Sequence, residues 1–428
     1  MPALSQSRFL RFLTFGALYL AQGLPAGFAS VGYVIFLTDQ GLGNEAIGSA
    51  MGLMALPWTF KILWAPLLDR VSSTRFGRRR PFIILAQLAM GITLLLLALL
   101  DPRRELALIG AVLFLHSTCA SFQDVAVDGM AVDLLQPKEQ AAANGVMFAG
   151  KMVGAGVGGA GGAVLAKQLG WSGLILVITA LLWAVMLLVI LVRERPRGEV
   201  VEARAQPKLS LAELRRSFSF ATPLVGIAVA MLTPVGFSLV LVVYLRMLRA
   251  DLKLSEEAIG LLSGVVDPVA GVAGALFGGA LASRIGVRKV LGGVMACLGA
   301  IMAAFVLAPG ARYHFPFLAG FSGAAQFFIA AYSAVIIGYM MRLSNPAVGA
   351  TQFSLFMASA NLTFAAAPAL GGRIADAYGV NATFAVGAAA QLVFIGILPF
   401  CDPRVAEARF RAAPPAPPVA APEAALAD

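Results

Sequence analysis

Long, uninterrupted apolar runs recur from one end of this sequence to the other. Most reach the 20 or so residues that a helix needs to cross a bilayer. Only helices and closed barrels satisfy their backbone hydrogen bonds in lipid, and these runs are continuous rather than alternating, so they predict helices. The predicted spans are 12–37, 46–68, 82–100, 106–132, 142–166, 171–192, 222–248, 257–282, 289–308, 315–341, 347–371 and 380–400.

The composition agrees with an integral membrane protein. Hydrophobic residues make up 59% of the 428 residues and charged residues 13%. Soluble domains carry roughly 45–50% apolar residues, even with glycine counted, and about 25% charged residues. These values exclude a water-soluble fold, a coiled coil, a collagen and a disordered chain. The predicted fold class is therefore an all-α integral membrane protein of about twelve helices.

The basic residues predict the orientation of these helices. If the N-terminus lies inside, the inside segments hold 22 Lys and Arg, against 8 in the outside loops. Positive residues concentrate on the cytoplasmic side of membrane proteins. We therefore expect both termini in the cytoplasm. The same bias explains the net charge of +10 without a nucleic-acid partner.

One long hydrophilic segment divides the predicted helices into two sets of six. We predict an N-terminal six-helix bundle at 1–192, a cytoplasmic linker at 193–221 and a C-terminal six-helix bundle at 222–403. The Ala/Pro-rich tail at 404–428 is predicted to be disordered. Short basic loops follow the second span of each half, at 69–80 and 283–289, which supports an internal two-fold repeat.

Ionisable residues within spans are expensive in lipid and mark candidate functional positions. Asp124 and Asp128 in the fourth span are four residues apart and share a helix face. Two close carboxylates repel when both are ionised, so one of them retains its proton more readily, which suits proton coupling. The competing interpretation is that both are structural partners of lysines within the membrane.

Three further positions are exceptional in the same way. Lys151 lies about 15 Å into the fifth span, at 1.5 Å per residue, and needs a cavity or a carboxylate. Lys61 is nearer the end of the second span, so it is either an interfacial anchor or a cavity-lining residue. Asp267, followed by Pro268, combines a charge with a helix breaker, as at the binding sites of transporters.

The sequence carries no recognisable catalytic or cofactor-binding motif. The stretch 145–152, GVMFAGKM, lacks the final Ser or Thr of a phosphate-binding loop and falls within a span. Only two histidines are present, and neither belongs to a metal-binding or nucleophile motif. We therefore expect no cofactor, no metal and no enzymatic activity. A membrane enzyme or receptor with a polar pocket is the alternative from another class.

Specific motifs resemble those of AmpG-type permeases of the major facilitator superfamily. The motifs are FKILWAPLLDR at 60–70, GRRR at 77–80, SFQD at 121–124 with Asp128, and ATQF at 350–353. The resemblance extends from the first predicted span to the last and is most specific in the second and fourth spans. Relatives in this group include muropeptide importers, acetyl-CoA transporters and siderophore permeases.

The resemblance implies a secondary transporter of the bacterial inner membrane, whose partners are a small-molecule substrate, protons and the lipid bilayer. We expect proton-coupled import of a muropeptide-type solute. Because the chain lacks two further spans and some charged residues of muropeptide permeases, a siderophore permease is the alternative. The candidate cavity residues are Lys61, Gln123, Lys151, Asp267 and Gln352. The candidate cytoplasmic gate comprises Asp69, Arg70, Gly77, Arg78, Arg79 and Arg80.

Overall fold

The computed structural model describes residues 3–69, 77–101, 103–136, 139–196, 215–345 and 349–411. These residues are helical almost throughout and include no β-strand, apart from one isolated bridge between Ala3 and Arg193. Within them, 10 helices are long and apolar enough to cross a membrane. In chain order these are α1 (Arg8–Asp39), α3 (Arg80–Leu99), α4 (Leu106–Leu134), α6 (Gln168–Leu191), α7 (Ala221–Ala250), α8 (Glu256–Ile285), α9 (Val287–Leu307), α10 (Phe315–Leu343), α11 (Thr351–Tyr378) and α12 (Val380–Phe410).

Two composite helices occupy the second and fifth predicted spans. Helix α2 consists of Asn44–Ala55, the 3₁₀ turn Leu56–Phe60 and Lys61–Asp69. Pro57 opens that turn, because it cannot donate the hydrogen bond that an α-helix requires. Helix α5 consists of Gln140–Gly156 and the π-helical turn Val157–Gly161. The helix that follows, Gly162–Leu191, contains α6 and is kinked near its start by the non-helical Gly170. The all-α architecture predicted from the apolar runs is thereby confirmed.

The helices deviate from regular α geometry where the sequence places breakers. A π-helical turn, Leu262–Val266, directly precedes Asp267 and Pro268 in α8. Another, Phe28–Tyr33, follows Pro25 in α1, and α7 is interrupted at Pro234. Such turns are frequent at functional sites of membrane helices. The helix breaker noted in the sequence at Asp267 and Pro268 is therefore accompanied by a departure from α-helical geometry.

Glycines allow one helix pair to approach unusually closely. A side chain built on Gly48 or Gly52 of α2 would overlap the carbonyl oxygens of Pro368 or Ala365 in α11. Small residues are the usual means by which membrane helices reach backbone contact. This contact connects a helix of the first six with a helix of the last six.

The buried apolar side chains form one large cluster in α7–α12 and two clusters in α1–α6. The first is centred on stacked rings such as Phe305 and Phe384, whose centroids are 4.3 Å apart. The other two contain Phe15, Phe28 and Tyr33. Large apolar side chains that remain exposed, such as Leu276 and Val269 on α8, cover the outer surface, as expected for a face in lipid.

The end of the chain differs from the predicted disordered tail. The last part of the stretch that begins at Val380 is a separate helix, α13 (Pro403–Arg411), so α12 itself ends with the 3₁₀ turn Phe394–Phe400. Helix α13 is held because Ala406 is buried and the Phe410 ring lies 5.4 Å from that of Phe220. Residues 412–428 and most of the predicted linker, 197–214, lie outside the described residues.

The bundle has two chemically different ends. We call the end that carries Arg8 and residues 77–80 the basic end. Helix α1 runs from Arg8 to Asp39, so Asp39 marks the opposite, distal end. These two terms are used below without reference to the sides of the membrane.

Candidate functional site

A buried ion pair forms the centre of the candidate site. The Lys61 ammonium of α2 binds the Asp124 carboxylate of α4. The Asp124 side chain is 6% exposed and that of Lys61 is 28% exposed. The pair satisfies both charges in a medium that solvates neither. The structure thus brings together two residues predicted from different spans.

The second carboxylate of α4 has a different partner. Asp128 accepts a hydrogen bond of 2.5 Å from the Tyr19 hydroxyl of α1. Asp124 and Asp128 lie one turn apart on the same helix face, as their spacing predicts. One carboxylate therefore faces a cation and the other a neutral donor, which gives the two groups unequal electrostatic environments.

Both lysines within the membrane contact the same aromatic ring. The Lys61 and Lys151 ammonium nitrogens lie 5.2 Å and 5.4 Å from the centroid of the Trp58 ring. Both distances are in the range of cation–π interactions. Within the part of the chain that the structure describes, no carboxylate lies within ion-pair distance of Lys151. Its ammonium is thus the positive group of the site that a ligand can neutralise.

Trp58 also connects the site to the second half of the molecule. It lies in the 3₁₀ turn of α2, and its carbonyl oxygen accepts a hydrogen bond of 2.9 Å from Asn361 of α11. The same oxygen accepts the hydrogen bond that the Lys61 amide donates within the 3₁₀ turn, so Asn361 uses its second lone pair. The backbone of α2 at the lysine pair is therefore anchored to α11.

Two buried glutamines beside the carboxylates have unused hydrogen-bonding groups. Gln123 is fully buried, and neither its amide oxygen nor its amide nitrogen has a partner among the described residues. Gln22 of α1 lies close enough to Asp124 for its amide nitrogen to donate to that carboxylate, and its amide oxygen has no partner among the described residues. Buried polar atoms are normally paired, so these amides are available to a polar ligand.

The remaining predicted cavity residues have other partners. Asp267 accepts a hydrogen bond of 2.6 Å from Ser322 of α10. Gln352 accepts one of 2.8 Å from the Asn345 amide, just before α11 begins. Among the polar contacts of the described residues, neither side chain joins the lysine–aspartate cluster. Asp267 lies at the contact of α8 with α10, and Gln352 holds the chain between α10 and α11.

The predicted gate is anchored within the first half. Three successive amides, of Arg78, Arg79 and Arg80, donate to the Glu194 carboxylate at 2.8, 2.7 and 2.5 Å. Gly77 has a positive φ of 109°, which brings its backbone against the same carboxylate. The Glu194 carboxylate is thus an anion bound by backbone amides at the N-terminus of helix α3.

Asp133 completes this arrangement on the side of α4. Arg78 and Arg79 each form an ion pair of 3.5 Å with its carboxylate. The predicted pairing of Asp69 with an arginine, and the position of Arg70, lie outside what the structure describes, because it does not describe the Asp69 side chain or residue 70.

Polar contacts also join the two halves at the distal end. Arg249 of α7 forms a bidentate pair with Asp39, at 2.7 and 2.8 Å, and Arg373 of α11 pairs with Glu45 at 2.5 Å. The Asp376 carboxylate accepts hydrogen bonds from the amides of Asn44 and Glu45, at 3.0 and 2.8 Å. In this conformation the distal end is therefore closed by contacts of α7 with the end of α1 and of α11 with the start of α2.

Several of these residues were not identified from the sequence. Tyr19, Trp58, Gln22 and Asp376 are residue types common in membrane helices, and no short motif contains them. Trp58 carries the clearest signal, because it follows Pro57 and lies three residues before Lys61. The others depend on which helices become neighbours, which a single sequence does not specify.

These features define a class of membrane protein, and comparison with known proteins identifies its family. In the described part of the chain, helices of membrane-spanning length are broken near a buried charged cluster and held together at one end, as in secondary transporters. The sequence profile of the Major Facilitator Superfamily matches residues 12–247 and 226–426. The chain belongs to this superfamily and is a multi-pass membrane transporter.

Sequence relatives refine the comparison. The anhydromuropeptide permease of Escherichia coli strain K12 is 25% identical over 391 residues, covering 89% of this chain and 77% of the relative. The putative transporter AmpG 3 of Rickettsia typhi is 24% identical over 368 residues, covering 78% and 83%. The resemblance to AmpG-type permeases inferred from the motifs is confirmed.

Solved structures share the fold at low identity. A D-xylose–proton symporter has a TM-score of 0.73 and 14% identity, covering 93% of this chain and 99% of that one. The nucleoside transporter NupG has a TM-score of 0.72 and 13% identity, covering 92% and 100%. At these identities the likeness concerns the fold alone.

Proposed function

We propose that this transporter imports a muropeptide-type solute across the bacterial inner membrane, driven by protons. The observation that carries the proposal is the asymmetric cluster of α1, α2, α4 and α5. It combines an ammonium without a carboxylate partner, a lysine–aspartate pair and a second carboxylate bound to tyrosine. The AmpG-type relatives support the muropeptide substrate, and those named above give no support to a siderophore.

The substrate binds to groups whose charge or hydrogen-bonding capacity is not used within the protein. The Lys151 ammonium binds a substrate carboxylate, since a buried cation is stabilised most by an opposite charge. The Trp58 ring provides a flat apolar face for a sugar ring between the two ammonium groups. The amides of Gln22 and Gln123 supply donors and acceptors for hydroxyl or peptide groups.

Proton coupling follows from the competition for Lys61. A proton that binds Asp124 removes the negative charge that holds the Lys61 ammonium. The ammonium then interacts with Asp128 or with the substrate instead. Asp128 keeps a hydrogen bond from Tyr19 in either state, so the proton can transfer between neighbouring carboxylates without exposing a charge to lipid.

Alternation of access completes the mechanism. In this proposal the bundles 1–192 and 222–403 move against each other, with both termini in the cytoplasm. The segment from Asp69 to Arg80 closes the cytoplasmic side when Asp69 binds an arginine. Asp69→Asn leaves every Lys and Arg in place, so it should preserve insertion while shifting the protein towards the state that is open to the cytoplasm.

Uptake in proteoliposomes tests the proposal. The purified protein is reconstituted with an imposed proton gradient, and uptake is compared for a labelled anhydromuropeptide, a ferric siderophore and acetyl-CoA. Gradient-dependent accumulation of the anhydromuropeptide is expected. Asp124→Asn should abolish accumulation but retain part of the exchange, whereas Asp101→Asn, an exposed distal carboxylate, should behave as wild type.

The outcomes separate the alternatives. Accumulation of the siderophore alone would replace the muropeptide by the second substrate class. Chemical conversion of a compound without its uptake would favour the membrane enzyme. Undiminished accumulation in both Asp124→Asn and Asp128→Asn would contradict the coupling role of the cluster.

A further inference from the structure

A cavity of about 550 Å³ opens at the basic end of the second half. It lies between the ends of α8 and α10, at the start of α9, and is bordered by α13. The basic loop 283–289, which the proposed transport mechanism does not use, forms part of its wall. It is distinct from the lysine–aspartate cluster, which belongs to the first half.

Three arginines line the cavity. Arg342 is held by Glu407 at 2.6 Å, and the nearby Arg288 is held by Asp402 at 2.8 Å. Within the described part of the chain, neither Arg284 nor Arg404 has a carboxylate partner, although both border the cavity. Two guanidinium groups without a partner, on either side of an open space, favour an anionic ligand.

The start of α9 adds a second positive element. Helix α9 begins at Val287, directly after the turn residue Gly286, and no side chain caps its first amides. Both residues border the cavity. Because α9 is 21 residues long, its uncapped N-terminus carries the partial positive charge of a full helix dipole. Arginines and helix amides together are the groups that bind phosphate.

Apolar side chains beside the arginines indicate that the phosphate belongs to a lipid headgroup and not to a soluble ligand. Each lining arginine is followed or preceded by a large exposed apolar residue: Ile285 is 50% exposed, Met341 59% and Val405 51%. Arginines next to exposed apolar residues at the end of membrane helices lie at the level of lipid headgroups. A site for a soluble phosphate would have no use for these apolar neighbours.

We propose that this cavity binds the headgroup phosphate of an anionic phospholipid, whose acyl chains lie along Ile285 and Met341. Arg284 and Arg404 bind the phosphate from opposite sides, and the first amides of α9 donate to it. Helix α13, with Phe410 and Ala406 packed inwards, holds Arg404 in place. The occupied site would attach the basic end of the second half to the lipid surface, whichever solute is transported.

Native mass spectrometry of the full-length protein in detergent tests this proposal. Dioleoylphosphatidylglycerol is titrated against dioleoylphosphatidylcholine, and the bound lipid is counted. The double variant Arg284→Gln with Arg404→Gln should bind phosphatidylglycerol about 25-fold more weakly, because each arginine near an anionic lipid contributes about 1 kcal/mol, a factor of about five. Ser283→Glu, which adds a negative charge but removes no arginine, should weaken binding in the same direction.

A matched control is the pair Arg103→Gln with Arg104→Gln, which removes two exposed arginines from the distal loop and should leave binding unchanged. Melting curves without lipid show whether each variant is folded. Equal phosphatidylglycerol binding in wild type and both cavity variants would overturn the proposal. Displacement of the lipid by millimolar inorganic phosphate would also overturn it, since the site would then take a soluble anion.

Discussion

The positive charges of the two lysines within the membrane are stabilised by different partners. Lys61 is neutralised by Asp124, whereas Lys151 depends on the face of Trp58. Removing one partner of a buried pair leaves an uncompensated charge, at a cost of about 3 kcal/mol or more. The two lysines should therefore differ when each is replaced by the isosteric, neutral methionine.

Lys61→Met should reduce the free energy of unfolding by about 3 kcal/mol, because Asp124 loses its cation. The double variant Lys61→Met with Asp124→Asn should recover most of that loss, since neither charge remains. Thermal melting in detergent, supported by a double-mutant cycle, measures this coupling. Additive effects of the two substitutions would show that the pair contributes nothing beyond its separate residues.

Lys151→Met should instead affect the ligand. Without a carboxylate partner to leave stranded, the variant should retain wild-type stability and lose at least tenfold in substrate affinity, which corresponds to 1.4 kcal/mol or more. Lys151→Arg should keep part of that affinity. Equilibrium binding of the labelled anhydromuropeptide to the purified variants is the measurement. Wild-type affinity in the methionine variant would assign Lys151 a structural role.

The sequence predicts the charged residues of this site better than their neighbours. Lys61, Asp124, Asp128 and Lys151 are identifiable because a charge inside an apolar run is exceptional. The roles of Tyr19 and Gln22 depend on how α1 is rotated against α4, and rotation is determined by packing. Asp267 has the same exceptional character as Asp124, yet its neighbour is Ser322 and not a lysine.

At the level of single helices, the three parts of α2 have three different structural roles. Its first part contacts α11 through glycines, its 3₁₀ turn presents Trp58, and its last part begins with Lys61. The apolar run predicts one span here, and the structure forms this stretch from two α-helical parts joined by a 3₁₀ turn. The sequence does not predict that the first part contacts the opposite half, because glycine is common in membrane helices for several reasons.

Gly52→Val should prevent the close contact of α2 with α11. The added side chain would overlap the Ala365 carbonyl, so the distal end could no longer close and transport should fall by at least tenfold. Gly279→Val on α8, where the added side chain meets open space, is the control. Uptake rates and melting temperatures of both variants are compared. Normal uptake by Gly52→Val would show that this contact is not needed for turnover.

At the basic end, α1 is tied to the start of α5 by a buried ion pair. Arg11 donates two hydrogen bonds, of 2.7 and 2.8 Å, to Glu139, and they lower the pKa of that carboxyl group. Because the folded-state pKa lies below the unfolded one, about 4.3, the stabilisation is present above that value and is lost as pH falls through the folded pKa.

Glu139→Gln should therefore lower the melting temperature at pH 7, and its difference from wild type should persist to about pH 5 and shrink as the pH falls below about 4. The exposed Asp251→Asn is the control and should follow wild type throughout. Melting curves at several pH values from about 7 down to about 2 give the comparison. A difference that is constant with pH would mean that the glutamate charge does not contribute to the stability.

For the molecule as a whole, the apolar runs and the long hydrophilic segment predict the helices and suggest their division into two bundles. Most members of each buried apolar cluster come from one of these two sets of helices, although Ile35 of α1 packs in the cluster of the second set and Val242 of α7 in a cluster of the first. What the sequence does not predict is the conformation. In the sequence, four residues resemble ordinary loop charges: Asp39, Glu45, Arg249 and Arg373. Their ion pairs join the two halves, so they form only in a state that is closed at the distal end.

Asp376 is the contact that most directly opposes opening of that end. Its carboxylate lies at the N-terminus of α2 and accepts hydrogen bonds from two backbone amides and from the Asn44 side chain, which binds at 2.7 Å. A carboxylate at a helix N-terminus is favoured by both the free amides and the helix dipole. The cap is unusual because it comes from the other half of the molecule, so it is lost when the halves separate there.

Asp376→Ala should therefore shift the protein towards the distally open state. Hydrogen bonds to a charged group contribute about 1.5–3 kcal/mol, so the open population should rise about tenfold or more. The reporter is Ile35→Cys, a buried position of α1 that contacts the apolar cluster of the second half. In a background with Cys119, Cys297 and Cys401 replaced by Ala, its labelling by a membrane-impermeant maleimide should accelerate by the same factor. Asp101→Ala, which removes a distal carboxylate whose ion pair lies within one half, should not change the labelling rate. Equal rates in Asp376→Ala and its parent would show that the other distal contacts suffice to hold the halves together.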